Sequence, residues 1–191
     1  MAVPPPPTPG SPVPNPPVPG SPVPGTGSTT SPETSPQPQH QPTAARATSP
    51  PPGVGPGASL IGADLAGATL VCADLHGTDL TGADLSGANL RAANLVQATL
   101  IGTNLRDVDL TDAMMRSAYL RGADLTGACL ACTELIGADC RGTTLVGANL
   151  AGADLRDADL SDADLRDADL HGAILTGACL ANADLTGARR D

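Results

Sequence analysis

Phenylalanine, tryptophan and lysine are absent from this chain of 191 residues, and tyrosine occurs once. A core built on aromatic rings is thereby excluded, and the composition stands far from that of an ordinary globular domain. Long apolar runs are missing as well. No stretch approaches the roughly 20 consecutive apolar residues that a membrane span needs. The N-terminus has neither a basic start nor the apolar run of a secretion signal, because prolines stand there instead. The expectation is a soluble, cytoplasmic protein with no membrane partner.

What is present divides into two regions. All 20 prolines lie between Pro4 and Pro56, and the composition breaks around Gly57 in GVGPGASL. Residues 1–57 mix Pro with Ser, Thr, Gly and Gln and hold few large apolar side chains beyond five valines. Such a segment buries too little surface to offset chain entropy, so it is expected to be a disordered, partly polyproline II tail that acts as a spacer. Its PxxP spacing, as in Pro4 to Pro7, also suits an SH3-type groove, but Arg46 is the only basic residue nearby.

Residues 58–191 obey a different rule, a period of five: GADLA GATLV CADLH GTDLT, and so on to Gly187. Leucine occupies 24 of the 26 positions from Leu60 to Leu185 in steps of five, with Met115 and Cys140 as the exceptions. Two residues before each leucine stands Ala or another small residue, and two after it stands Gly in 15 of 26 units. A period of five matches neither a helix nor a simple strand, so the repetition itself must be read first. An Ala and a Leu separated by one residue point the same way on a short extended segment, and a bend must follow to return the next pair to the same interior. Glycine relieves a tight or left-handed bend, and the Asp and Asn that replace it tolerate one. Each unit thus reads as one side of a coil.

The repeated Ala-(Asp/Asn)-Leu-x-x unit resembles the pentapeptide repeat family over Ala58 to about Ala188. The resemblance implies an all-β fold, a right-handed quadrilateral parallel β-helix (β-solenoid) with four units per coil. Leu and Ala would face inward and the other three positions outward. Twenty-six units then make about 6.5 coils, and at roughly 4.8 Å per strand layer the rod is about 31 Å long. Met115 and Cys140 read as volume-tolerant replacements for a buried leucine.

Candidate chemistry fails on spacing. Cys129 and Cys132 form a CxxC pair, but stacking at offsets near 20 gives them Asn149, Asp109, Asp112 and Gly152 as neighbours, a poor zinc shell. The five cysteines are expected to be free thiols in a reducing compartment. His76 and His171 lie 95 residues apart, too far along the rod to act together, and no nucleophile has a base in reach. Calcium cages need other spacings than the pentapeptide period provides. The chain is therefore expected to be noncatalytic, with no cofactor and no metal.

Charge is the remaining signal. The repeat region holds 19 acidic residues and nine arginines, so the formal charge of −10 belongs to it. From Asp154 to Asp169 there are seven aspartates, Asp154, Asp157, Asp159, Asp162, Asp164, Asp167 and Asp169, against Arg156 and Arg166. One coil then carries 2 − 7 = −5, a band suited to a basic protein partner rather than to nucleic acid. These aspartates read as outward residues whose spacing is set by the repeat. Met114 and Tyr119, with Ile101 and Ile136 on nearby coils, form a minor candidate apolar contact.

The leading functional expectation is a protein-interaction scaffold acting through this acidic surface, its partner unidentified. The family resemblance implies an alternative, a DNA mimic that binds DNA gyrase or topoisomerase IV in the manner of quinolone-resistance proteins. That reading is weakened by the absence of inward phenylalanines, of interrupting loops and of a C-terminal helix. A third expectation is a self-assembling structural rod, since no cap is evident after Leu185 and uncapped solenoid ends invite association.

Overall fold

The structure is a computed structural model that describes residues 53–190. The Pro-rich segment 1–52, with its expected disorder and spacer role, lies outside the described residues.

The repeat builds a solenoid of parallel pairings. Each residue that precedes a leucine pairs with its equivalent 20 residues later, from Ser59↔Asp79 to Asp169↔Arg189. An offset of 20 on a period of five places four units in every coil. Four faces result, each identified by its pre-leucine column: the first runs from Ser59 to Cys179, the second from Asp64 to Asp184, the third from Thr69 to Arg189 and the fourth from Asp74 to Ile174.

The unit 83–87 shows why these five residues suffice. Leu85 N–H donates to the Asn104 carbonyl one coil ahead at 2.8 Å, and Asp84 N–H donates to Ala63 one coil behind at 2.9 Å. Gly87 N–H reaches Arg106 at 2.8 Å, and Ala83 N–H closes a turn on Leu80 at 3.0 Å. The remaining donor, Ser86 N–H, goes to the Asp84 carboxylate at 2.9 Å. Every backbone N–H of the unit is paired, as a packed chain requires.

The corner after each leucine is a four-residue turn with a positive φ at its third residue, which is the signature of a type II turn. All fifteen glycines from Gly62 to Gly187 take this conformation, and so do the eleven non-glycine residues in the same position. Asp and Asn bear it best among them. Ala92 at φ 52° and Gln97 at φ 57° have no such compensation, and the left-handed region costs an ordinary residue roughly 1–2 kcal/mol. Ala92→Gly and Gln97→Gly should each stabilise the rod by about 0.5–1 kcal/mol after glycine's larger unfolded-state entropy is counted. Calorimetry of the double variant should show a melting temperature raised by several degrees.

The interior is a column of leucine and alanine. Every five-step position from Leu70 to Leu170 is buried, Met115 and Cys140 included. Small alanines let opposing leucines meet, so neighbouring coils bury one another's apolar surface. Thr103 and Thr133 replace interior alanines, and each hydroxyl donates at 2.8 Å to a leucine carbonyl, Leu80 or Leu110. The ends differ from the middle. Val54 packs on the first coil, Gly57 N–H bonds to the His76 carbonyl at 2.9 Å, and Leu175, Leu180 and Leu185 of the last coil are only partly buried.

Candidate functional site

The seven aspartates of the acidic band do form a ring, with Asp154 and Asp157 on the fourth face, Asp159 and Asp162 on the first, Asp164 and Asp167 on the second and Asp169 on the third. They fall into two chemically different sets. Asp154, Asp159, Asp164 and Asp169 precede a leucine and are half-buried, whereas Asp157, Asp162 and Asp167 occupy left-handed corners and are exposed.

The pre-leucine set belongs to the scaffold as well as to the outward surface. Each accepts the backbone N–H two residues ahead: Asp154 from Arg156 at 3.3 Å, Asp159 from Ser161 at 3.0 Å, Asp164 from Arg166 at 3.2 Å and Asp169 from His171 at 3.1 Å. Asparagine does the same work at Asn89 and Asn149. Side chains add further clamps. Arg156 and Arg166 fold back on Asp154 and Asp164, with Nε to Oδ1 at 2.8 Å in both. The bonds from these guanidinium groups hold the two carboxyls below the ordinary aspartate value, against a smaller opposing effect of burial. The Ser161 hydroxyl and backbone N–H do the same for Asp159.

The corner set has fewer commitments. Asp162 accepts from Asn182 Nδ2 at 3.1 Å, and the carboxylates of Asp157 and Asp167 lean along the rod into the space a Cβ would take on Gly177 and Gly187. These three present their charge to solvent.

Sorting the chain by coil shows a feature the linear sequence hid. The second face carries Asp64, Asp84, Asp107, Asp124, Asp164, Asp167 and Asp184 against Arg106 and Arg166, a sum of 2 − 7 = −5. None of the other three faces exceeds −2 in magnitude. The ring therefore meets an acidic stripe that runs along the rod. The signal was present as a 20-residue offset between aspartates, the same offset that sets the neighbours of Cys129 and Cys132.

Other candidates are kept apart. Met114 and Tyr119 stand on adjacent faces of one coil, 37% and 48% exposed. His76, on the fourth face, bonds to Asp74 at 3.1 Å, nearly five coils along the rod from His171 on the third. Cys129 lies between Asp109 and Asn149, with its sulfur 3.2 Å from the Thr111 hydroxyl. Among the described residues no group of three or more His, Cys, Asp or Glu is placed to hold a metal ion. No helix among them is long and apolar enough to cross a membrane.

Comparison with known proteins agrees with the architecture. The family model described as pentapeptide repeats matches residues 58–95, 93–130, 133–172 and 154–189. No curated protein matches the chain by sequence. Among solved structures, the chain is similar to HetL, a pentapeptide repeat protein involved in heterocyst differentiation regulation from the cyanobacterium Nostoc sp. strain PCC 7120. The identity is 41% over 69% of this chain and 63% of HetL, with a TM-score of 0.30, so the chain spans less than two thirds of HetL's length. It is similar to alr5209, a pentapeptide repeat protein from Nostoc PCC 7120, at 36% identity over 56% of this chain and 84% of that one, TM-score 0.43. QnrB1, a plasmid-mediated fluoroquinolone resistance protein, aligns at 21% identity over 70% of this chain and 79% of its own, TM-score 0.49. The five-residue lattice, the 20-residue coil and the family match over the whole repeat region lead to one conclusion: the chain belongs to the pentapeptide repeat family.

Proposed function

We propose that this right-handed rod is a noncatalytic protein-interaction scaffold whose acidic ring and second-face stripe engage a basic surface of a partner protein. The observation that carries the reading is the division within the ring. Four carboxylates each accept a backbone N–H, but Asp157, Asp162 and Asp167 occupy corners where glycine serves equally well in fifteen other units. The fold does not require charge there. A cytoplasmic setting accords with five free thiols and no disulfide.

Electrostatic steering makes a measurable claim. Asp157→Asn, Asp162→Asn and Asp167→Asn combined should leave the rod folded, because asparagine also suits a left-handed corner, as at Asn182. Association with a basic partner captured by the full chain should slow roughly tenfold at low salt, with the gap closing as salt rises. Stopped-flow or surface plasmon resonance over a salt series reads this directly. An unchanged association rate at low salt would count against the acidic surface.

The DNA-mimic alternative draws on the stripe, since only a charge row parallel to the axis can imitate a duplex. Its density falls short. B-DNA carries one charge per roughly 1.7 Å, about 18 over the rod's estimated length of about 31 Å, against a net −10 for the chain. A gyrase supercoiling assay with the full chain at several micromolar separates the two, and absence of inhibition is the outcome the scaffold reading expects.

A further inference from the structure

On the first face the supply of carboxylates is interrupted. Thr99 and Ile101 of one coil lie beside Tyr119 and Arg121 of the next, joined through the Thr99↔Tyr119 pairing and the bond from Gly102 N–H to the Arg121 carbonyl at 3.0 Å. Ile101 is 40% exposed and Tyr119 48%. Between Asp79 and Asp139 this face holds no acidic residue.

The coils on either side show what the lattice normally places here. Asp79 accepts the Thr81 N–H at 3.0 Å and its hydroxyl at 2.6 Å. Asp139 accepts the Arg141 Nε at 2.7 Å and the Arg141 N–H at 3.4 Å. Each site brings its own anion. At Tyr119 a phenol ring stands where that carboxylate would be, and Thr99 provides no acceptor to Ile101. Of the seven arginines that follow an inward residue of the five-step column, the other six have ion pairs. Arg121 has none among the described residues, and it acts on Asp139 only through space, where the carboxylate is already held by Arg141.

We infer that the first face between Thr99 and Arg121 is a second docking surface, for a partner segment that sets a carboxylate on Arg121 and an apolar side chain against Ile101 and Tyr119. The partner's carboxylate completes the carboxylate–guanidinium clamp that Asp139 and Arg141 already display. Tyrosine, isoleucine and an arginine whose adjoining carboxylate, Asp139, is already engaged by Arg141 are the composition of an interface anchor. The guanidinium fork selects a carboxylate bidentately, and the rod's net charge of −10 discourages acidic chains everywhere else. This surface is independent of the acidic ring: it takes a partner of the opposite charge and can fail or stand without it.

The test is a random twelve-residue peptide library panned against the immobilised full chain, with the most enriched sequence then made as a free peptide and titrated by calorimetry. Enriched sequences should carry Asp or Glu within three residues of a Leu, Ile or aromatic residue. Arg121→Gln and Tyr119→Ala should each weaken the peptide at least tenfold. Tyr119→Asp is the sharper variant: its carboxylate should close on Arg121 as Asp139 closes on Arg141, abolishing peptide binding while the melting temperature holds or rises. Several results would overturn the inference: no enrichment over the bare support, enrichment of basic or uncharged sequences, or peptide affinity within twofold after Tyr119→Asp. Two more outcomes reassign the surface and equally overturn it. A several-fold gain in peptide affinity with Glu33→Gln would place this chain's own N-terminal segment on the patch. A concentration-dependent dimer in sedimentation that Tyr119→Asp abolishes would place a second copy there.

Discussion

Leu135→Asp is expected to unfold the middle of the rod. Leu135 is 2% exposed and stands in an interior column where the Thr133 hydroxyl is already bonded to the Leu110 carbonyl. Loss of a buried leucine costs about 2–5 kcal/mol, and burying an unpartnered polar group adds about 1–3 kcal/mol even if the carboxyl stays protonated. The sum approaches the whole stability of a typical domain, about 5–15 kcal/mol. A solenoid holds each coil only by its neighbours, so the damage should spread to the coils above and below.

Cys140 reports this locally. Its thiol is buried in the next unit of the same coil, and desolvation, aided by Asp139 and Asp159, pushes its pKa up to about 12. In the native chain it should resist maleimide at neutral pH, and in Leu135→Asp it should be labelled within minutes while the far-ultraviolet circular dichroism weakens. Protection of Cys140 with an unchanged melting curve would contradict the inward assignment of Leu135.

The second large effect concerns the pre-leucine carboxylates. The hydroxyls of Thr81, Ser161 and Thr186, each with its own backbone N–H, hold Asp79, Asp159 and Asp184 below the ordinary value of 3.8. Arg141, Arg156 and Arg166 do so for Asp139, Asp154 and Asp164. A carboxyl whose folded pKa is depressed stabilises the fold above its unfolded pKa and gives that stability up as pH falls through the folded value. Stability should therefore be nearly flat from pH 7 to about 5 and then fall below pH 3.8. Relief of self-repulsion in a chain of charge −10 works the other way. Exposed charge pairs contribute only about 0–1 kcal/mol each and are screened by salt, so the loss of direct hydrogen bonds should win below pH 3.8. Melting temperatures that climb steadily from pH 7 to pH 2.5 would show that repulsion dominates instead.

Much of the fold was legible because its chemistry repeats. Leucine every five residues, a small residue two before and glycine two after demand an inward pair and a corner, and Leu60 to Leu185 leave little freedom in the reading. The corner conformation was readable from Asp107, Asp157 and Asn182 as well as from glycine. The role of Asp154 or Asp159 was not. An aspartate beside an inward leucine looks like surface decoration, and its bond to the N–H two residues ahead exists only once the chain turns there. The second-face stripe was hidden for another reason: Asp64, Asp84, Asp124, Asp164 and Asp184 are neighbours in space but 20 or 40 residues apart in the chain. Tyr119 was noticed as an exposed aromatic, whereas the unpaired state of Arg121 depends on which carboxylates its neighbours have already engaged.

The division of the acidic ring into backbone-bonded and corner carboxylates is tested most directly by thermal melting of three triple variants of the full chain, followed by circular dichroism. Alanine at Asp154, Asp159 and Asp164 removes the side-chain acceptors of three backbone N–H groups and should lower the melting temperature by several degrees. Asparagine at the same three positions keeps the acceptor and should restore most of that loss. Asparagine at Asp157, Asp162 and Asp167 should melt within about 3 °C of the unmodified chain, since each change lies outside the hydrogen-bonded ladder and is worth about 0.5 kcal/mol or less. Equal melting of the pre-leucine alanine variant and the unmodified chain, or a larger loss from the corner variant, would contradict the division.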